Sequence, residues 1–171
     1  MNNNIQTFYL SFLVLLFAFA FTCCSDENEE ELSPDNIINI NGQDIYVHPT
    51  DNSTGIQWYN GEYIITEATS TDDGKANTTK IISVLGDGDY AACLCDKLEA
   101  LDYNDWYLPS KEELDALYQN KEILGGFSPE EYWSSTEEDN DDAYYQSFET
   151  GQIMESDEKN YTKRVRCIRK D

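Results

Sequence analysis

The fold of this chain is organised around one ten-residue stretch, Asp105-Trp106-Tyr107-Leu108-Pro109-Ser110-Lys111-Glu112-Glu113-Leu114. Ser110, followed three residues later by Glu113, has the pattern of a capping box. In that motif the hydroxyl accepts from a first-turn amide and the glutamate reaches back to the cap residue. Pro109 favours an extended conformation for Leu108, so the chain turns before the helix begins. The stretch therefore predicts a structural junction, with Trp106 and Leu108 in the core.

Two helices are predicted, one on each side of this junction. Apolar residues recur at helical spacing from Asp89 to Leu101, which predicts the first helix. The second helix is predicted from Ser110 to about Asn120, with a buried stripe formed by Leu114, Leu117 and Tyr118. The polar segment Thr69–Thr79 is interpreted as a loop.

Short strands are predicted before and after the two helices. Asn41-Gly42 is a hairpin-type turn between Ile37–Ile40 and Asp44–Val47. The other predicted strands are Ile56–Tyr59, Tyr63–Ile65, Tyr132–Thr136, Ala143–Phe148, Ile153–Met154 and Arg164–Arg169. Because helices and strands are segregated along the chain, this order predicts an α+β fold in which short antiparallel strands flank two helices.

The composition limits the classes of partner. The chain has 171 residues, which suits one domain and a leader, and 13% of them are aromatic, which is enough to build a core. Its formal net charge is −23, and every Lys and Arg lies after residue 74. Such a negative field repels nucleic acid, so we expect no nucleic-acid partner.

The N-terminus has the pattern of an export signal. Phe8–Phe21 is almost wholly apolar but short for a bilayer span, which is typical of a signal peptide over residues 1–23. The following residues resemble a bacterial lipobox, with Cys24 as the lipidated residue and Cys23 as the alternative. The acidic segment 24–36 is interpreted as a tether that resembles the sorting signal of outer-face lipoproteins. We therefore expect a membrane partner through a lipid anchor, at the outer membrane surface of a Gram-negative bacterium; an ordinary secretory signal with a solvated linker is the alternative.

Five short elements occur in one order along the chain. They are Gly74-Lys75-Ala76-Asn77-Thr78, Ala91-Ala92-x-x-Cys95-x-x-Leu98, Asp105–Leu114, Tyr132-Trp133-Ser134-Ser135-Thr136 and Val165-Arg166-Cys167-Ile168-Arg169. This series resembles the Lcl C-terminal domain family, named for the C-terminal domain of a bacterial collagen-like surface adhesin. The resemblance implies a C-type-lectin-like fold, related to formylglycine-generating-enzyme folds, over residues 37–171. The adhesin namesake implies binding to surface polysaccharides.

The cysteines fit an exported domain, because exported proteins can keep disulfides. Beyond the lipobox the chain holds Cys93, Cys95 and Cys167. The family resemblance implies that Cys95 pairs with Cys167 and leaves Cys93 free. Pairing of Cys93 with Cys167 is the competing possibility.

A metal site built from His and Cys is poorly supported, since the chain has a single histidine, His48, which we interpret as a surface residue. The acidic run from Glu137 to Asp142 lies between two predicted strands. We favour a solvated loop there and expect no cofactor. The alternative is a Ca²⁺ site, because Ca²⁺ takes several hard oxygen ligands. Its candidate ligands are Glu137, Asp139, Asp141 and Asp142.

No nucleophile, base or carboxylate pair stands out, so we expect a non-enzymatic binding or adhesion module for a glycan or protein ligand. Trp133, like the Trp106–Glu113 junction, is assigned to the scaffold. The candidate ligand-binding residues lie in the loops after Trp133, where side chains offer contact area at low entropic cost. They are Asp139, Asn140, Asp141, Asp142, Tyr144 and Tyr145. The alternatives are an envelope structural protein without a small ligand and a diversified, receptor-type variable lipoprotein.

Overall fold

A computed structural model describes Ser33 and residues 36–170, apart from the side chains of residues 153–155. Within these residues the helices are α1 (Gly74–Leu85), α2 (Ala91–Asp96), α3 (Lys111–Gln119) and α4 (Lys121–Leu124). The strands are β1 (Ile37–Ile40), β2 (Gln43–Val47), β3 (Ser53–Gln57), β4 (Glu131–Glu137), β5 (Asp142–Ser147), β6 (Ile153–Glu158), β7 (Thr162–Val165) and β8 (Ile168–Lys170). This content confirms the α+β class. The predicted leader 1–23, the candidate Cys24 and most of the tether 24–36 lie outside the described residues.

The strands form two sheets in the described part of the chain. One has the order β1-β2-β8, and the other has the order β3-β7-β4-β5-β6. The β1–β2 hairpin turns at Asn41-Gly42, where both φ angles are positive, at 52° and 88°. Two-residue hairpins need that geometry, and Asn-Gly supplies it at little cost. Pairing is antiparallel except between β4 and β7, which run parallel at Tyr132 and Arg164.

The opening stretch lies between two apolar clusters. Trp106 and Leu108 belong to one cluster together with Trp58 and Trp133, whereas Tyr107 belongs to the other. This alternation follows from extended backbone, in which successive side chains point to opposite faces. Tyr107 also exchanges two backbone hydrogen bonds with Ile168, at 2.8 and 3.0 Å, and so joins the junction to β8.

The capping box predicted at Ser110 opens α3. The Ser110 hydroxyl accepts from the Glu113 amide, and the Glu113 carboxylate accepts from the Ser110 amide at 2.8 Å. The carboxylate also accepts from the Gly74 amide at 3.0 Å and from the Tyr107 hydroxyl at 3.0 Å. Glu113 is therefore buried because it ties the start of α3 to the start of α1 and to the junction.

The prediction of a loop over Thr69–Thr79 is wrong, because α1 begins at Gly74. Much of its buried face is polar: Asn77 pairs with the Ser70 backbone, and Thr78 with the Leu108 backbone. These hydrogen bonds satisfy the buried polar groups. The buried face of α1 therefore lacks the hydrophobic periodicity that predicts a helix from sequence. A Cβ at Gly74 would lie 2.5 Å from the Leu108 carbonyl oxygen, so the close approach of α1 to the junction requires glycine.

Two other local predictions are also wrong. The helix predicted from Asp89 to Leu101 ends at Asp96, and a turn with positive φ at Leu101 and Asp102 follows. Tyr63–Ile65 forms no strand and is exposed. The two predicted helices correspond to α2 and α3, and the structure adds α1 and α4.

The prediction that His48 lies at the surface is wrong, since it is only 6% exposed and its ring packs edge-on against Trp106 at 5.4 Å. The predicted final strand Arg164–Arg169 divides into β7 and β8, which belong to different sheets. The break falls at Arg166 and Cys167, both of which are held by contacts outside the sheets.

The Cys95–Cys167 disulfide is confirmed, and it joins α2 to the segment before β8 across 72 residues of sequence. Cys93 is a buried free thiol. None of the helices in the described part of the chain combines the length and apolar character needed to cross a membrane.

Candidate functional site

Glu137, at the end of β4, is the centre of the most elaborate polar cluster near the predicted loops. Its carboxylate accepts from the backbone amides of Thr66, at 2.9 Å, and Glu67, at 2.8 Å. It also forms a 2.8 Å ion pair with Lys159, in which each side chain is only 1% exposed. The carboxylate is thus saturated by partners from two distant segments.

Lys159 completes this cluster from the other side. Its ammonium donates to Glu137, to the Asp139 carbonyl at 2.7 Å and to the Asn140 carbonyl at 2.9 Å. An ammonium has three N–H donors, so all of them are used. The Trp58 ring lies under the ammonium at 4.9 Å and adds a cation–π contact. Lys159 therefore fixes the backbone of residues 138–142, which we call the acidic turn.

The acidic turn is also organised by its own side chains. The Asp139 carboxylate accepts from the amides of Asp141, at 2.8 Å, and Asp142, at 2.9 Å. These hydrogen bonds lower the pKa of Asp139. Partial burial, followed by repulsion from neighbouring carboxylates, raises the pKa of Asp142.

The four candidate calcium ligands have different surroundings in this geometry. Glu137 is engaged by Lys159, and Asp139 caps the turn, so two of the four candidate ligands already have partners. Within the described residues, no group of three or more His, Cys, Asp or Glu side chains is arranged to hold a metal ion. The buried ammonium lies where a cation would otherwise be needed to balance Glu137.

Tyr144 and Tyr145 do not join the acidic turn in a single patch. They are consecutive on β5, and their rings have different partners. Lys111 lies over the Tyr144 ring at 4.2 Å, whereas Lys163 lies over the Tyr145 ring at 3.8 Å. The Tyr145 ring also packs edge-on against Trp133. The six predicted ligand-binding residues are therefore divided among one exposed turn and two separate aromatic contacts.

Beside the acidic turn lies an irregular segment, residues 58–68, which we call the strap. Its ends are buried at Trp58, Thr66 and Ala68, but residues 60–65 are exposed. The Trp58 amide donates to the Lys159 carbonyl at 3.0 Å, and the Glu137 amide donates to the Ala68 carbonyl at 2.8 Å. The Glu137–Lys159 pair thus holds both ends of the strap as well as the acidic turn.

The strap runs along α1 in the opposite direction. Asn60 donates from its side chain to the Leu85 carbonyl at 2.7 Å, and Lys80 donates to the Glu67 carbonyl at 2.8 Å. Val84 lies one helical turn after Lys80, so it is on the same face of α1 as the strap. Its side chain is 44% exposed.

Apolar side chains lie on this surface: Tyr63, Ile64, Ile65 and Val84 are exposed, whereas Tyr59 is partly buried against the core. We call them the strap patch; its members are Tyr59, Tyr63, Ile64, Ile65 and Val84. The rings of Tyr59 and Tyr63 pack with their centroids 5.0 Å apart. Desolvation, followed by the negative charges of its surroundings, raises the pKa of Tyr63.

The strap patch is not evident from the sequence, which at Tyr63-Ile64-Ile65 predicts a strand. The local signal is three large apolar residues in succession after Asn60-Gly61-Glu62. The residues that hold the patch, Glu137 and Lys159, are remote in sequence: Thr66 and Glu137 are separated by 71 positions.

A second ionic cluster serves the scaffold. The Arg166 guanidinium is fully buried and donates to the Asp51 carboxylate and to the carbonyls of His48, Pro49 and Gly126. Asp51 also accepts from Arg164 at 2.9 Å and from the Tyr132 hydroxyl at 2.8 Å. These groups are mutually satisfied, so the cluster holds the start of β3 against β4 and β7.

Comparison with known proteins agrees with the order of motifs along the chain. No curated protein matches this sequence. The Lcl C-terminal domain family matches residues 48–169, which include the junction, both disulfide cysteines, the strap and the acidic turn. The chain belongs to the Lcl C-terminal domain family.

Proposed function

We propose that this domain is a non-enzymatic binding or adhesion module for a glycan or protein ligand, carried on the outer surface of a Gram-negative cell by a lipid at Cys24. The observation that carries the proposal is the exposed strap patch. It is held rigidly beside the acidic turn by the buried Glu137–Lys159 pair. A preorganised surface loses little entropy on binding, so side chains displayed in this way favour recognition.

The use of the ionisable residues also supports a binding role. Glu113, Glu137, Lys159 and Arg166 are all buried in contacts with backbone or opposite charge. Groups that acid–base catalysis would use must reach a substrate, whereas these hold loops and helix ends together.

Two of the described clefts are poorly suited to enclosing a small molecule. The cavity beside Ile40, Asp72 and Lys170 is about 150 Å³, which is small for a ligand pocket. The larger concavity, about 510 Å³, is lined by consecutive residues 99–104 of one turn, so it is open to solvent.

A glycan array and a panel of extracellular proteins, both probed with the full purified chain, test the binding proposal. We expect saturable binding to a defined glycan or protein. A blank result in both, with an envelope protein that co-purifies in fixed proportion, would favour the structural alternative instead.

The anchor has its own test. Cys24→Ala should abolish incorporation of labelled fatty acid and release the protein from the membrane fraction, because stable attachment needs the acyl chains. Cys23→Ala is the matched control and should retain both properties. A Cys24→Ala protein that is still lipid-labelled would refute this assignment.

A further inference from the structure

The strap patch contains large apolar side chains that are exposed and therefore do not contribute to the core. Tyr63, Ile64 and Ile65 are consecutive and are 39%, 36% and 58% exposed. Single exposed apolar residues are ordinary, but contiguous ones mark interaction surfaces. The partly buried Tyr59 contacts the Tyr63 ring, and Val84 is exposed on the face of α1 that meets the strap.

The strap that carries these exposed residues is held by hydrogen bonds to the rest of the domain. The Trp58 indole donates to the Ser134 carbonyl at 2.8 Å, and Thr66 and Glu67 donate to the buried Glu137 carboxylate. Between these points Asn60 is fixed to the end of α1. The apolar side chains are therefore presented in a defined arrangement.

The border of the patch is more acidic than basic, with Lys80 as the cation on the facing side of α1. Glu62 and Glu67 are exposed residues of the strap itself. Asp141 is an exposed residue of the acidic turn, and its carbonyl accepts from the amide of Lys159, the residue that also holds Trp58 at the start of the strap. A ligand that covers the apolar side chains must also meet this negative potential, so a positively charged ligand is favoured. A second copy of this acidic chain, or an anionic lipid surface, would be repelled.

The aliphatic side chains of the patch favour a protein ligand over a sugar. Ile64, Ile65 and Val84 have no ring face, and their burial gains free energy only against an apolar surface. Protein side chains supply such a surface, whereas a sugar presents mainly hydroxyl groups.

We infer that the strap patch docks a cationic protein segment in which apolar or aromatic side chains alternate with Lys or Arg. The inference rests on the proposed binding function and names the partner class. The apolar side chains of the segment cover Ile64 and Ile65, and its cations meet Glu62, Asp141 and the rings of Tyr59 and Tyr63.

The test is selection of random short peptides, displayed on phage, against the immobilised full chain. We expect the selected peptides to combine basic with apolar residues. Their dissociation constants should rise at least about tenfold for the double variant Ile64→Ser/Ile65→Ser, because interface energy concentrates in a few buried apolar contacts. The matched control is Ile123→Ser on α4, whose side chain is 69% exposed, and it should leave affinity unchanged.

Thermal unfolding of each variant checks that the fold is retained, which exposed positions should allow. Peptides that bind the strap variants as tightly as the wild type would overturn this inference but leave the binding function standing. If no peptide is selected but the chain binds the glycan array, the inference is also overturned and the binding function stands. Failure of both peptides and glycans to bind would overturn the inference and the proposed function together.

Discussion

The Lys159 ammonium lies 2.8 Å from the Glu137 carboxylate, and both side chains are almost completely removed from solvent. The pair connects the strap, the acidic turn and the end of β4. Because an isolated buried charge is costly, each member depends on the other. The display of the strap patch and the stability of the domain therefore depend on the same two residues.

Lys159→Met should lower the free energy of unfolding by about 3–5 kcal/mol, because it leaves the Glu137 carboxylate buried without a counter-charge. Urea denaturation of the variant and the wild type measures this loss. The control is Lys97→Met, since Lys97 forms an exposed pair with Asp87 at 3.2 Å. Solvent screens such a pair, so its loss should leave the urea midpoint nearly unchanged.

The double variant Lys159→Met/Glu137→Gln gives a sharper test of the pair. A glutamine in place of Glu137 would keep an acceptor for the strap amides but carry no charge. The double variant should therefore lose less stability than the sum of the two single variants. Additive losses would contradict the coupling that the geometry indicates.

Removal of the Cys95–Cys167 disulfide should destabilise the domain by about 4 kcal/mol on the chain-entropy model, because the bond closes a long loop. The double variant Cys95→Ala/Cys167→Ala, measured by urea denaturation, tests this value. Cys93→Ala is the control and should keep the bond. A non-reduced digest in which Cys93 is linked to Cys167 would contradict the assignment.

Glu113 should give the stability of the domain a distinctive pH dependence. Burial raises the pKa of its carboxyl above the ordinary value, despite hydrogen bonds from Ser110, Tyr107 and Gly74. The native state therefore binds this proton more tightly than the unfolded chain does. The contribution to stability is complete below the unfolded pKa, about 4.3, and is lost as the pH rises through the folded pKa.

Glu113→Gln isolates this effect, because glutamine keeps an acceptor for the Ser110 amide but does not titrate. The free energy of unfolding of the wild type minus that of the variant should increase as the pH is lowered from neutral toward the unfolded pKa. Chemical denaturation at a series of pH values measures the difference. A difference that shrinks on acidification would count against a raised pKa.

The features predicted correctly from the sequence are those that depend on neighbouring residues. The Asn41-Gly42 hairpin needs only two residues that accept positive φ, and the α3 cap needs only Ser110 and Glu113. The pairing of Cys95 with Cys167 came from the family resemblance, with Cys93 as the competing partner.

The features that were missed depend on remote contacts. The buried face of α1 is polar because Asn77 and Thr78 bond to other segments, so hydrophobic periodicity did not reveal the helix. The strap has no regular structure of its own and is held by Glu137 and Lys159. Glu137 was assigned to a solvated acidic loop, but it is buried, and its basic partner Lys159 lies 22 residues away in sequence.

Asp51 offers the last test, because its carboxylate joins Arg164, Arg166 and Tyr132 in one cluster. Asp51→Asn would remove the charge and place an amide donor against the buried Arg166 guanidinium, so we expect a loss of about 3–5 kcal/mol in urea denaturation. Asp44→Asn is the matched control, since Asp44 forms an exposed bond with Asn39, and it should change stability by about 0.5 kcal/mol or less.

The two arginines of this cluster should differ in their effects. The Arg166 side chain is 0% exposed and also binds the carbonyls of His48 and Pro49, whereas the Arg164 side chain is 17% exposed. Arg166→Met would leave these buried carbonyls without a donor and would leave Asp51 with Arg164 and Tyr132 only. Arg164→Met would leave Asp51 with its Arg166 partner. Arg166→Met should therefore destabilise the domain more, and an equal or reversed order would show that the buried guanidinium does not hold the start of β3 in place.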